Sequence, residues 1–289
     1  MQASEVQRGV AAAISTARAL GLPADDAVVL QNSNKLAVRL LPCDTLARVA
    51  PLAHQVAQFE VDLAGRLAET GSPAAALEPR VPRRVYARDG FAITLWTYYA
   101  SVTADVAPAD YAKALSRLHN GMWQIETAAP HFTDRVAEAE KLVADRDQTP
   151  ELSEEDRALL IGMLKQHRRT IVERGAAEQL LHGEPHPGNV LNTKIGPLFI
   201  DLETCCRGPI AFDLAHLPEA VIEHYPDVDQ ALLDECRALV LAMVAAWRWA
   251  AGDQFPNGRK WARLFIRTLR KGAPWPSLDA LARQLEGRG

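Results

Sequence analysis

The chain predicts an α+β fold of two lobes: a small N-terminal lobe with an antiparallel sheet and a larger, mainly helical C-terminal lobe. Three observations predict it. Strand-like apolar runs with turn signals crowd the segment before residue 97, helical spacing dominates from about residue 108, and a hairpin-like insert interrupts the helices between His182 and Asp201. At 289 residues there is chain enough for two lobes. They are expected as residues 1–97, a hinge at 98–100, and residues 101–289.

Val6, Val10, Ile14, Ala17 and Leu20 recur at helical spacing, and Gly21 with Pro23 closes that first helix. Strands follow at Val28–Leu30, Leu36–Leu41 and Thr45–Ala50, with a Pro42-Cys43-Asp44 turn. A helix is expected from Pro51 to about Ala68, ended by Gly71-Ser72-Pro73. Short strands around Val85-Tyr86 and Phe91–Trp96 are joined by Arg88-Asp89-Gly90, a good turn signal. Long helices are then expected at Tyr111–Thr127, Phe132–Asp145 and Glu154–Gly175. After the insert come Asp213–His224, Val228–Ala251, Arg259–Lys271 and Leu278–Leu285, with a frayed tail at 286–289.

Composition narrows the function. With 48% apolar and 24% charged residues the chain can build a sizeable core, and its net charge of −4 argues against a nucleic-acid partner. Cys43, Cys205, Cys206 and Cys236 have no regular spacing, which points to free thiols in a reducing compartment. The N-terminal residues do not read as a secretory signal, and the longest apolar stretch, Ala238–Ala251, is too short to span a bilayer. A cytoplasmic protein without a membrane partner is expected.

The chemistry is concentrated in His182-Gly183-Glu184-Pro185-His186-Pro187-Gly188-Asn189, followed by the apolar run to Ile200 and then Asp201. A carboxylate, an amide five residues later and a carboxylate beyond a strand are the three groups that phosphoryl transfer needs close together. One orients or deprotonates the acceptor hydroxyl, and two hard oxygen donors hold Mg²⁺ on nucleotide phosphates. His182 and His186 share an i, i+4 spacing, but Gly183, Pro185 and Pro187 forbid the helix that a zinc pair would need. No G-x-S-x-G occurs.

These residues resemble the aminoglycoside phosphotransferase family, the small-molecule branch of the protein-kinase-like fold. Its pattern H-G-D-x-H-x-x-N is matched by His182 to Asn189, with Glu184 in place of the Asp. Ile200-Asp201-Leu202-Glu203 matches the metal-binding stretch beyond it, and Gly208-Pro209 through Asp213-Leu214-Ala215 matches a downstream G-P-x-x-x-D-L-A. The resemblance implies a protein-kinase-like two-lobe fold with a ligand cleft, ATP or GTP as cosubstrate, and Mg²⁺. It makes Glu184 the catalytic group, Asn189 and Asp201 the metal ligands, and His182 and Asp213 structural supports of the loop. It places Arg48 where a phosphate-binding lysine belongs, with Glu60 as its helix partner, and Thr97, Tyr98 and Tyr99 at a purine-binding hinge. Each has a plainer reading: a loop carboxylate in a degenerate site, a turn amide, a strand-end cap, a surface ion pair, or an aromatic strand end. The loop at Gln31–Asn34 is equally well a phosphate contact or a turn.

Asp213 to Glu235 carries seven carboxylates and no Lys or Arg. With Glu203, the residues Glu219 and Glu223 are candidate acceptor contacts, favouring a cationic small molecule such as an aminoglycoside or amino sugar, with antibiotic resistance among the roles implied. A solvated helix face explains the same run. The expected activity is transfer of a terminal phosphate to a small-molecule hydroxyl. The alternative is a nucleotide-binding, pseudokinase-like protein with weak or no transfer. Oligomeric state is not legible.

Overall fold

The computed structural model describes residues 1–53, 56–103 and 105–286. The chain divides into two compact units, Met1–Val106 with Val190–Glu203, and Ala107–Asn189 with Thr204–Gly289. The expected lobes were continuous segments. Instead, the segment after Asn189 belongs with the first unit.

The first unit opens with helix α1 (Ala3–Ala19), then strands β1 (Ala24–Asn32), β2 (Leu36–Pro42) and β3 (Thr45–Pro51). Helix α2 (Ala57–Glu69) and strands β4 (Tyr86–Arg88) and β5 (Phe91–Thr97) follow. The sheet is antiparallel throughout, in the order β1-β2-β3-β5-β4. Strict alternation orients it: Leu36, Val38 and Leu40 are buried on one face of β2, with Ala47 and Val49 of β3. Ala12, Ala13 and Ala17 of α1 close that core. The hairpin turn between β4 and β5 has Asp89 and Gly90 both at positive φ (53° and 85°), the conformation that a tight two-residue connection requires.

One expected start is displaced. Pro51 does not begin a helix; it ends β3, opposite Phe91, where a missing N–H costs little. The helix starts at Ala57, and residues 54 and 55 lie outside the described part.

In the second unit, α3 (Pro108–Trp123), α4 (Phe132–Ala144) and α5 (Glu154–Arg174) precede the short strand β6 (Glu178–Leu181). The Ser153 hydroxyl caps α5 through Asp156 N at 3.1 Å, and Gly175 ends it in the left-handed region. Strands β7 (Val190–Thr193) and β8 (Gly196–Phe199) form the hairpin of the first unit, with Val190 opposite Phe199. Back in the second unit, β9 (Cys206–Pro209) pairs antiparallel with β6. Helices α6 (Ile210–Leu214), α7 (Glu219–Ile222), α8 (Gln230–Trp249), α9 (Gly258–Lys271) and α10 (Leu278–Glu286) complete it.

The single helix expected at Asp213–His224 is two short ones. Pro218 lies between them, lacking the N–H that a continuous helix would use. All four cysteines are buried. No described helix is long and apolar enough to cross a membrane.

Candidate active site

In the first unit, five charged side chains converge. Arg48 projects from β3, opposite Ala37, and Glu60 from the first turn of α2. Arg48 Nη1 donates to Glu60 Oε1 at 2.7 Å and Nη2 to Asp201 Oδ1 at 2.6 Å. The ammonium of Lys35, just before β2, donates to Glu203 Oε2 at 2.6 Å, Asp201 Oδ1 at 3.0 Å and Glu60 Oε2 at 3.4 Å. Two cations thus serve three carboxylates, and Glu60 is only 3% exposed.

The electrostatics follow from this packing. Burial pushes the Glu60 carboxyl up, against the pull of Arg48 and Lys35. Burial also opposes ionisation of Asp201, but Arg48 and Lys35 outweigh it and hold that carboxyl at about 2. Asp201 therefore stays ionised, with φ at +67°. Arg48 pairs with Glu60. Lys35 was not anticipated: a polar residue beginning a strand carries no local sign of three distant carboxylates.

Of the anticipated hinge, Thr97 spends its N–H on Ala76 O at 2.9 Å, and Tyr98 lies under the Arg39 guanidinium, 4.1 Å from its centroid. Tyr99 is half-buried. Thr97 therefore has no free backbone donor to offer.

In the second unit the loop from His182 to Asn189 is braced from several sides. Asp213 is fully buried and accepts from His182 N at 2.9 Å and Gly183 N at 2.8 Å. Its other partner is His119 Nε2, at 2.9 Å. A carboxylate only accepts, so Nε2 carries the hydrogen and Nδ1, 2.7 Å from the Tyr225 hydroxyl, accepts from it. Tyr111 donates its hydroxyl to Pro185 O. Gly183 has φ +86°, and a Cβ there would lie 2.0 Å from Thr204 O, so only glycine fits.

Glu184 sits in the middle of this loop, its carboxylate ion-paired with Arg135 of α4. The same guanidinium donates to Gly183 O at 3.1 Å. Burial alone would raise the Glu184 pKa, but the charge of Arg135, helped by His216, brings it below the usual value. Asn189 turns its Nδ2 to Glu184 O at 2.9 Å, which leaves its side-chain oxygen as the group available to a ligand. Arg135, like Lys35, was missed, because nothing in the spacing of α4 announces a partner on the loop.

Glu184 and His216 also line a cavity of about 420 Å³, walled by α8, α9 and α10. That volume lies within the usual range for small-molecule pockets. Neither Glu219 nor Glu223 lines it. Glu219 is paired with Arg237, Glu223 is exposed, and Glu203 is held by Lys35 in the first unit. Among the described residues no group of three or more His, Cys, Asp or Glu forms a metal cage.

A kinase-like fold, a braced loop with an ionised carboxylate and a pocket beside it define the class: a small-molecule kinase, a phosphotransferase with an alcohol group as acceptor. The sequence profile of the phosphotransferase enzyme family matches residues 25–253, and the chain belongs to that family. No curated protein matches the chain. Among solved structures it is similar to an amicoumacin kinase in complex with AMP-PNP, Ca²⁺ and Ami, at TM-score 0.72 and 12% identity, covering 95% of this chain and 98% of that one. It is similar to a choline kinase from Streptococcus pneumoniae at TM-score 0.66 and 13% identity, over 89% and 97% of the two chains. A GDP complex of an aminoglycoside 2′-phosphotransferase gives 0.62 and 17%, over 90% and 95%. At these identities the likeness is one of fold.

Proposed function

We propose that the protein transfers the terminal phosphoryl group of ATP or GTP to a hydroxyl of a small molecule seated in the cavity beside Glu184. The observation that carries this reading is Glu184 itself, an ionised carboxylate on a rigid loop that also forms part of the pocket wall. In the transfer a bond forms from the acceptor oxygen to the γ-phosphorus, and the bond from that phosphorus to the β–γ bridging oxygen breaks. A nucleoside diphosphate leaves, and the hydroxyl proton passes to Glu184. Since the transition state is loose, Glu184 contributes chiefly by orienting the hydroxyl, and a carboxylate of lowered basicity serves.

Arg48 and Lys35 supply positive charge for the phosphates, Arg48 with a fork that suits their oxygens. The 98–100 segment is the proposed hinge toward the base, with Tyr98 and Tyr99 as its contacts. Asn189 and Asp201 are the proposed Mg²⁺ ligands, because an amide oxygen and an ionised carboxylate are each hard donors of the kind that ion takes. When bound, the ion would neutralise charge on the transferred phosphoryl group. A reducing, cytoplasmic setting is the one proposed for a chain whose few cysteines are all buried and irregularly spaced.

The test is a mass-spectrometric screen for a phosphate adduct across a pooled panel of alcohols, with Mg²⁺ and ATP or GTP. Product is expected with the native chain and not with Glu184→Gln. The second reading, nucleotide binding with little transfer, is favoured by one observation: Arg135 already occupies the Glu184 carboxylate. Nucleotide binding with no adduct on any acceptor would establish it.

A further inference from the structure

The walls of the cavity carry information about its occupant. Trp261 and Phe265 stand one turn apart on α9, ring centroids 5.6 Å apart and planes inclined by 31°, and form a broad apolar surface. Trp247 of α8 and Phe255 complete the aromatic lining. Two of these four rings already serve cations of the protein: the Arg135 guanidinium is 5.4 Å from the Trp247 centroid, and that of Arg248 is 4.4 Å from the Phe255 centroid.

The charged groups on the wall are likewise matched from within. Glu184 pairs with Arg135, Asp279 with Arg283, and Arg248 with Asp253, the last at 2.8 Å. A cationic ligand would meet no unpaired carboxylate, would find two ring faces occupied, and would approach two guanidinium groups. Two lining side chains keep polar atoms without a hydrogen-bond partner: Arg248, at Nε beside its ion pair, and His216. His216 is 4% exposed, lines the cavity, and its Nε2 has no hydrogen-bond partner. Burial lowers its pKa to about 4, so at neutral pH the ring is uncharged. An uncharged imidazole nitrogen in such a place is satisfied by a ligand's donor or acceptor.

We propose that this cavity takes an uncharged acceptor whose planar, apolar body lies against Trp261 and Phe265, with His216 Nε2 bonded to one of its polar groups and its hydroxyl facing Glu184. The role of acceptor rests on the transferase reading above; the chemical class of the ligand rests on the cavity. Flat apolar rings bury large areas against aromatic walls, and a small number of polar contacts fixes their orientation. A polycation is not what this pocket selects.

The experiment is calorimetric titration of the whole chain without nucleotide, using 2-naphthylethanol as the uncharged planar probe, choline as a single cation and kanamycin as a polycation. The naphthyl alcohol is expected to bind, Trp261→Ala to weaken it by about tenfold or more, and Ala282→Trp, at the cavity wall, to abolish it. Thermal unfolding verifies that both variants fold, and Ala282→Trp decides the matter should Trp261→Ala not fold. Choline and kanamycin are expected neither to bind in the cavity nor to displace the probe. Displacement by either cation overturns the inference, as does failure of the naphthyl alcohol to bind, or binding that Ala282→Trp leaves unchanged. Phosphorylation of kanamycin sensitive to Ala282→Trp would uphold the transferase and sink the ligand class. Binding of the naphthyl alcohol with no phosphoryl transfer to any alcohol would do the reverse.

Discussion

Arg135 holds Glu184 twice, through the carboxylate and through the carbonyl of the preceding Gly183, 3.1 Å from Nη1. The pair sits in partly buried surroundings, with side-chain exposures of 12% and 22%. Removing one member of such a pair leaves the other charge poorly solvated. Arg135→Met is therefore expected to cost about 3 kcal/mol of stability, measurable by denaturant unfolding.

The same pair sets a pH dependence. Glu184 titrates below its usual value in the folded chain, so its contribution to stability is present above the ordinary carboxylate range and is lost as pH falls through the lowered folded value. In Arg135→Met the largest charge opposing burial is gone, the Glu184 pKa rises, and the acid limb of the pH–rate profile moves to higher pH. A profile with an unmoved acid limb would show that Arg135 does not control this carboxylate.

Lys35 and Arg48 together hold Asp201 at about 2, below its ordinary 3.8. The resulting stabilisation is complete above pH 3.8 and disappears as pH falls through about 2. In Lys35→Met one of the two cations is gone. Acid unfolding is expected to begin at higher pH than in the native chain, with a stability loss at neutral pH of about 2 kcal/mol. Circular dichroism across an acid titration makes the comparison.

Arg48→Lys keeps the charge and loses the fork that reaches Glu60 and Asp201 at once. Nucleotide affinity, read with a fluorescent ATP analogue, is expected to fall about tenfold. An unchanged affinity would remove Arg48 from the phosphate-binding role.

Gly183→Ala combines a left-handed backbone with a collision against Thr204 O at 2.0 Å, a backbone atom that cannot swing aside. The expected loss is at least about 3 kcal/mol, enough to lower the melting temperature by roughly 6–12 °C in a chain of this size. Gly65→Ala, with open space around it, is the control and should leave the melting temperature unchanged or slightly raised.

Much of the loop was legible because its parts lie close in the chain. Glu184, Asn189 and Asp201 share one short segment with fixed spacing, and Asp213 follows soon after. The lobe pattern was legible for a similar reason: period-two burial in β2 and β3 and helical spacing in α3 to α5 are local consequences of strand and helix geometry. Lys35 and Arg135 were illegible. Each is an ordinary surface-type cation in its own element, and its partners come from far along the chain. The pairing within the acidic run from Asp213 was illegible for the same reason. Its charges looked unpaired in sequence, whereas Asp213 is buried under the loop and Glu219 meets Arg237.

The order of residues alone determined which elements form and which side chains could do phosphoryl chemistry, since turn residues, periodicity and short-range spacing act over a few neighbours. Tertiary packing decided which charges are neutralised, that the Glu60 carboxyl is pushed up while those of Glu184 and Asp201 are pulled down, and that rings from α8 and α9 enclose the space beside Glu184. Those outcomes depend on distances of a few ångströms between residues remote in the chain, and electrostatic and contact energies are set by distance, not by position along the backbone.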